Sequence, residues 1–111
     1  ADVTRVTVHT SVKEIGKLAF YKCMSLKSVV IPEGVQVVGE RAFGRCGALS
    51  TVQLPTTMKE ITAWAFMWCT ELTSIIIPEG VERIGEEAFA GCDDLVEVKL
   101  PSTLQHIGKE A

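Results

Sequence analysis

The chain has 111 residues, 47% of them hydrophobic and 23% charged, with a formal net charge of −3. That composition suits one globular domain. The negative balance argues against a nucleic-acid partner, whose phosphates need a basic stripe, and no apolar run is long enough to span a membrane as a helix.

Read in chain order, Val3–Val8 form a first strand, and apolar Val12 and Ile15 follow. Gly16, Ala19, Phe20 and Cys23 come next, and at Leu26 the pattern begins again. The columns Phe20, Phe43, Phe66, Phe89 and Cys23, Cys46, Cys69, Cys92 both step by 23 residues. So does Pro32, Pro55, Pro78, Pro101. Ile15, Val38, Ile61, Ile84, Ile107 and Val12, Val35, Met58, Val81, Leu104 form apolar columns with the same step. Independent columns in one register mark an internal repeat. The chain holds about 4.8 such units (111 divided by 23), above the three or so that a solenoid needs.

Within a unit, β-branched residues predict strands at Arg5–Val8, Ser28–Ile31, Thr51–Leu54, Ser74–Ile77 and Glu97–Leu100. Proline ends four of them because it has no N–H for a ladder. Pro-Glu-Gly at 32–34 and 78–80 turns the chain. A second short extended or irregular stretch covers Val35–Val38, and Gly39 is expected to permit a backbone angle that a side chain forbids. Glu40–Cys46 then reads as one or two turns of α- or 3₁₀-helix, with Ala42, Phe43 and Cys46 inward. The expected fold is an α/β repeat: a solenoid of 23-residue units, with a parallel sheet on one face and short helical or irregular segments on the other. Both ends cut into the repeat and neither looks like a polar cap. Residues 1–111 are therefore expected to be a single solenoid unit within a longer array, with ends able to stack on one another.

The stretch I-P-E-G-V-x-x-I-G-x-x-A-F-x-x-C-x-x-L, at Ile31–Leu49 and Ile77–Leu95, resembles the BspA-like leucine-rich repeats, also called the Treponema pallidum type. The resemblance covers essentially the whole chain. It implies a right-handed solenoid with the parallel sheet on its concave side. It also implies a surface or secreted protein of bacteria or protists that adheres to host matrix or cell-surface proteins. No catalytic residues come with it. The departures are Thr62 in the glycine column and His9 in the proline column.

No enzyme is expected. His9 and His106 sit at opposite ends of the array, so a Cys–His pair is remote. Four cysteines in one stacked line do not converge on a metal as tetrahedral ligands must. They read as buried thiols packed like small hydrophobes. No cofactor is implied.

The departure that stands out is Trp64, Met67 and Trp68, in columns that hold Arg41, Gly44 and Arg45 one unit earlier. Stacking puts Arg41 beside Trp64 and Arg45 beside Trp68, within cation–π reach. The group reads either as an aromatic clamp on the convex side or as a patch that anchors a partner. The second candidate surface is the sheet face, whose outward residues are expected to be Arg5, Thr7, Ser28, Val30, Thr51, Gln53, Ser74, Ile76, Glu97 and Lys99. Val30, Gln53 and Ile76 are its candidate contacts, and its sparse charge suits a protein ligand. The functional expectation is an adhesin-like protein-binding module. The alternative is an architectural spacer without a ligand of its own.

Overall fold

A computed structural model describes the backbone of residues 5–9 and 11–111 and the side chains from residue 8 onward, Thr10 excepted. Val3, and the side chains of Arg5 and Thr7, lie outside the described residues. The strands alternate between two sets. Three-residue strands β1 (Arg5–Thr7), β3 (Ser28–Val30), β5 (Thr51–Gln53), β7 (Ser74–Ile76) and β9 (Glu97–Lys99) line one face. Two-residue strands β2 (Glu14–Ile15), β4 (Val37–Val38), β6 (Glu60–Ile61), β8 (Arg83–Ile84) and β10 (His106–Ile107) line another. All pairing is parallel, and each residue pairs with the one 23 positions on, as Val29 does with Val52. The long strands each stop one residue before the expected end; in four of them a proline, which has no N–H for a ladder, stands two residues beyond, and in the first His9 takes that place.

The short strands form one sheet, β10-β8-β6-β4-β2. The long strands form two, β1-β3-β5 and β7-β9. At paired junctions, bonds such as Ser50 N–H to Lys27 C=O (3.0 Å) and Ile31 N–H to Gln53 C=O (3.0 Å) bracket the strands. Among the described residues, the ladder does not continue from β5 to β7.

Each coil turns the same side chains inward. Phe20, Phe43, Phe66 and Phe89 stack with ring centroids 5.2, 5.3 and 5.5 Å apart and planes within 11° of parallel. Offset stacks at this spacing are favoured by the ring quadrupole. Around this spine, Leu26, Leu49 and Leu72, Val35, Met58 and Val81, and Ala42, Ala65 and Ala88 are fully buried. One coil alone cannot enclose such a spine, so burial, and with it stability, comes from nearest-neighbour stacking.

The helix expected at Glu40–Cys46 is not there. Among the described residues there is no helix at all, and the third side of each coil is a run of linked turns. The N–H groups of Ala42 and Gly44 close local turns onto Gly39 and Arg41, each at 3.0 Å. The alternate N–H groups of Arg41, Phe43 and Arg45 instead donate to Ala63, Ala65 and Met67 of the next coil, at 3.3, 2.9 and 2.7 Å. A helix spends every N–H within its own segment, whereas here half of them tie neighbouring coils together. The backbone matches: Leu18, Arg41, Trp64, Glu87 and Glu110, and likewise Lys22, Arg45 and Trp68, have φ between 49° and 62°. Right-handed helix excludes such angles. The chain is therefore a β-solenoid rather than an α/β repeat.

The glycine column has a different cause from the one expected. Gly39 has no positive φ; it is needed for closeness. Its N–H donates to Ile15 C=O at 2.7 Å, and an added Cβ would lie 2.6 Å from that same oxygen. Thr62, in the same column, relaxes the contact. Its N–H reaches Val38 C=O at 3.2 Å, and its hydroxyl donates to the same carbonyl at 2.7 Å.

Candidate functional site

The turn side carries the aromatic departure. Trp64 is held on both sides. The Arg41 guanidinium lies 4.4 Å from its ring centroid, and its Nε1–H donates to Glu87 Oε2 at 3.2 Å. Glu40 Oε1 accepts from Arg41 at 3.1 Å and fixes the guanidinium over the indole. Trp64 thus belongs to a clamp across three coils. Trp68 is different: it is 48% exposed, and Arg45 forms no stack on it. One edge of its ring covers Gly91 in the next coil, where an added Cβ would lie 2.7 Å from Trp68 Cδ2. The other side opens onto a hollow of about 570 Å³ lined by Lys22, Met24, Arg45, Gly47, Trp68 and Thr70. Met67 is half-buried and lines none of it. The two tryptophans, paired by spacing, are thus separated by environment.

That hollow is built from two adjacent columns over three coils. Lys22, Arg45 and Trp68 make one wall, and Met24, Gly47 and Thr70 the other. Gly47 keeps the floor open: an added Cβ would come to 3.8 Å of both Met24 and Thr70. Sequence reasoning did not select Lys22, Met24 or Thr70. The signal was present in the column Lys22–Arg45–Trp68, two cations beside an indole at one step of 23.

On the sheet side, Val30, Gln53 and Ile76 stand in one outward column, with Val30 43% and Ile76 66% exposed. Gln53 and Ile76 border a cleft of about 280 Å³ at the open junction between β5 and β7, together with Ser50, Thr51 and Ser74. Val30 stands one coil outside it. The N–H groups of Ile31 and Ile77, and of Ser50 and Val96, bond to the neighbouring coil, whereas those of Leu54 and Thr73, in the same two columns, have no backbone partner among the described residues. Unpaired backbone groups at an exposed cleft are open to bonding by a second chain.

Cys46, Cys69 and Cys92 sit inside, and Cys23 is partly buried. The thiols of Cys46, Cys69 and Cys92 donate to the carbonyls of Phe20, Phe43 and Phe66 at 3.1–3.2 Å. Burial pushes the Cys46 thiol up to about 11. Cys69 is raised too, first by the neighbouring Cys92 thiol and then by burial. Held neutral in this way, Cys46 and Cys69 are packing groups rather than nucleophiles, whereas the hydrogen bond with Cys69 lowers the Cys92 thiol. His9 bonds locally, its Nδ1 lying 2.7 Å from Ser11 Oγ.

A parallel solenoid with a 23-residue step, a stacked phenylalanine spine and an open sheet face defines a leucine-rich-repeat protein. A sequence profile for the BspA type leucine-rich-repeat region matches residues 1–111 with 6 copies. The chain belongs to the BspA-type leucine-rich-repeat family. Among solved structures, the T. pallidum leucine-rich-repeat protein TpLRR superimposes with a TM-score of 0.95 at 32% identity, covering 99% of this chain and 54% of that one. A leucine-rich cell surface protein from Faecalibacterium prausnitzii matches with a TM-score of 0.87 at 30% identity, covering 97% of this chain and 32% of that one. The pneumococcal vaccine antigen PcpA shares the fold, with a TM-score of 0.87 at 23% identity over 96% of this chain and 28% of its own. The chain thus spans about half the length of TpLRR and about a third of the cell surface protein. No match was found among curated proteins. The family is a repeat scaffold of the kind that generally binds proteins, and no enzyme family is indicated.

Proposed function

We propose that the chain is a protein-binding segment of a cell-surface or secreted protein, adhesin-like, engaging a matrix or cell-surface protein of a host through its concave sheet face. The observation that carries this reading is the outward column Val30–Gln53–Ile76. It presents two exposed aliphatic residues and an amide beside an open strand junction. Exposed apolar side chains around unpaired backbone groups are what an extended protein segment docks on. The likeness to a Faecalibacterium cell surface protein supports the location.

The test is binding of the purified chain to immobilised matrix and cell-surface proteins, repeated with Val30→Glu and Ile76→Glu. Both residues are exposed, so the fold tolerates the change. Loss of binding by about tenfold or more in each variant supports the sheet face. Unchanged binding in both removes that face as the site. Absence of binding throughout a broad panel leaves the architectural spacer as the better reading.

A further inference from the structure

The hollow at Trp68 is not isolated. Met24, Gly47 and Thr70 also border a second hollow, which reaches Lys27, Ser50 and Glu71. Ser50 in turn borders the cleft between β5 and β7. The three share lining residues in succession and so trace a line from the turn side around the flank of the coils to the sheet face. At one end stand an exposed indole and two cations, and the first hollow has no acidic residue in its lining. Among the described residues Arg45 and Lys22 form no ion pair, in a chain whose net charge is −3. At the other end is Leu54, in the lining of that cleft, whose N–H has no backbone partner among the described residues.

We infer that this flank groove binds an extended acidic peptide of a partner protein, with a carboxylate held between Lys22 and Arg45 and a neighbouring side chain laid on Trp68. The proposal rests on the protein-binding reading above and adds the partner's chemistry and a second contact region. Three features favour a peptide. Adjacent cations one coil apart suit carboxylates on one strand, and the guanidinium of Arg45 takes a carboxylate in bidentate form. Trp68 gives a rigid apolar platform at low entropic cost. The groove's far end offers the Leu54 N–H to a peptide carbonyl, the kind of bond by which an extended segment gains affinity along a strand edge.

The test uses the whole chain and a blocked pentapeptide of four glutamates around one tyrosine, followed by tryptophan fluorescence and calorimetry. The control peptide replaces each glutamate with glutamine. The expected result is a saturable change in indole emission with the acidic peptide. Affinity should fall with added salt and drop about tenfold for the neutral peptide. Arg45→Gln should weaken binding to a similar degree, and Trp68→Gly should abolish the fluorescence response. That glycine variant is a clean control for folding, because Trp68 has a φ of 59° and the same column carries Gly91 at 75°. Equal response to the neutral peptide, or retention of binding by both variants, overturns the proposal. So does a response to a sulfated polysaccharide with none to the acidic peptide. If a host protein binds through Val30 and Ile76 while the pentapeptide does not, this inference alone fails. If the pentapeptide binds at Trp68 but no host protein binds, the adhesin reading alone fails.

Discussion

Removing one ring from the phenylalanine spine should cost more inside the stack than at its end. Phe66 is fully buried and stacks on two rings, at 5.3 and 5.5 Å. Phe89 is half-buried and stacks on one. Phe66→Leu keeps most of the apolar volume but deletes both ring contacts, about 0.5–1.5 kcal/mol each, so about 1–3 kcal/mol in all. Phe89→Leu deletes one contact, about 0.5–1.5 kcal/mol. Phe66→Ala adds a sealed cavity and should cost about 3–5 kcal/mol, a large share of a small domain's stability. The cavity cost for Phe89→Ala should be smaller, since solvent and neighbouring side chains reach that site. Urea unfolding followed by far-UV circular dichroism measures all four. Equal losses for the leucine variants at 66 and 89 would refute the claim that the rings support one another coil to coil.

Gly39→Ala should destabilise the fold by about 1–3 kcal/mol, because its Cβ meets backbone atoms of Ile15, Gly16 and Lys17 at 2.6–2.7 Å that cannot swing aside. Gly16→Ala, with nothing within 4 Å, should be nearly neutral; thermal melts of the two variants separate them, and an equal effect would remove close approach as the reason for the column. Glu33 accepts hydrogen bonds from the Thr56 hydroxyl and N–H, which hold its carboxyl below the usual carboxylate range. A lowered folded pKa means the stabilisation is complete above the unfolded value and is lost as pH falls through the folded one. The difference in melting temperature between the natural chain and Glu33→Gln should therefore be largest near neutrality and shrink in acid; a difference independent of pH would rule the carboxylate out.

The repeat, the strand positions and the inward columns were legible because each is a one-dimensional pattern that stacking converts directly into neighbours. Phe43 and Phe66 meet because they are 23 residues apart. The linked turns were not legible. Glu40–Cys46 has helical spacing of its inward residues, yet Arg41 and Arg45 take positive φ, which a sequence rich in Gly or Asn would have signalled and this one does not. What overrides local preference is the bonding from Phe43 and Arg45 to the next coil. The site was half legible for the same reason. Spacing put Arg41 over Trp64, but it could not tell a clamped indole from a free one. That difference depends on Glu87 accepting from Trp64 Nε1, and on Gly91 making room beneath Trp68.

The junctions between coils are also not equivalent, and the turns after the prolines explain part of the difference. Gly34 and Gly80 have φ of 104° and 106°, as the third residue of a type II turn requires, and they alternate with Thr57 and Thr103 in the same column. Each threonine hydroxyl bridges backward, accepting from the glycine N–H at 2.9–3.0 Å and donating to Val35 or Val81 C=O at 2.7–2.9 Å. Glu33 grips Thr56 in the following coil, and Glu79 grips Ser102 through bonds of 2.8 and 3.1 Å. The bonds therefore join the second coil to the third and the fourth to the fifth. The third-to-fourth junction has no such grip among the described residues, because Thr56 offers no carboxylate to Glu79, and it is there that β5 and β7 part. Coil one still pairs with coil two through β1 and β3, so the grip is not what makes a strand pair. It adds side-chain bonds to the second-to-third and fourth-to-fifth junctions, and the candidate groove reaches the sheet face at the third-to-fourth junction, which lacks them.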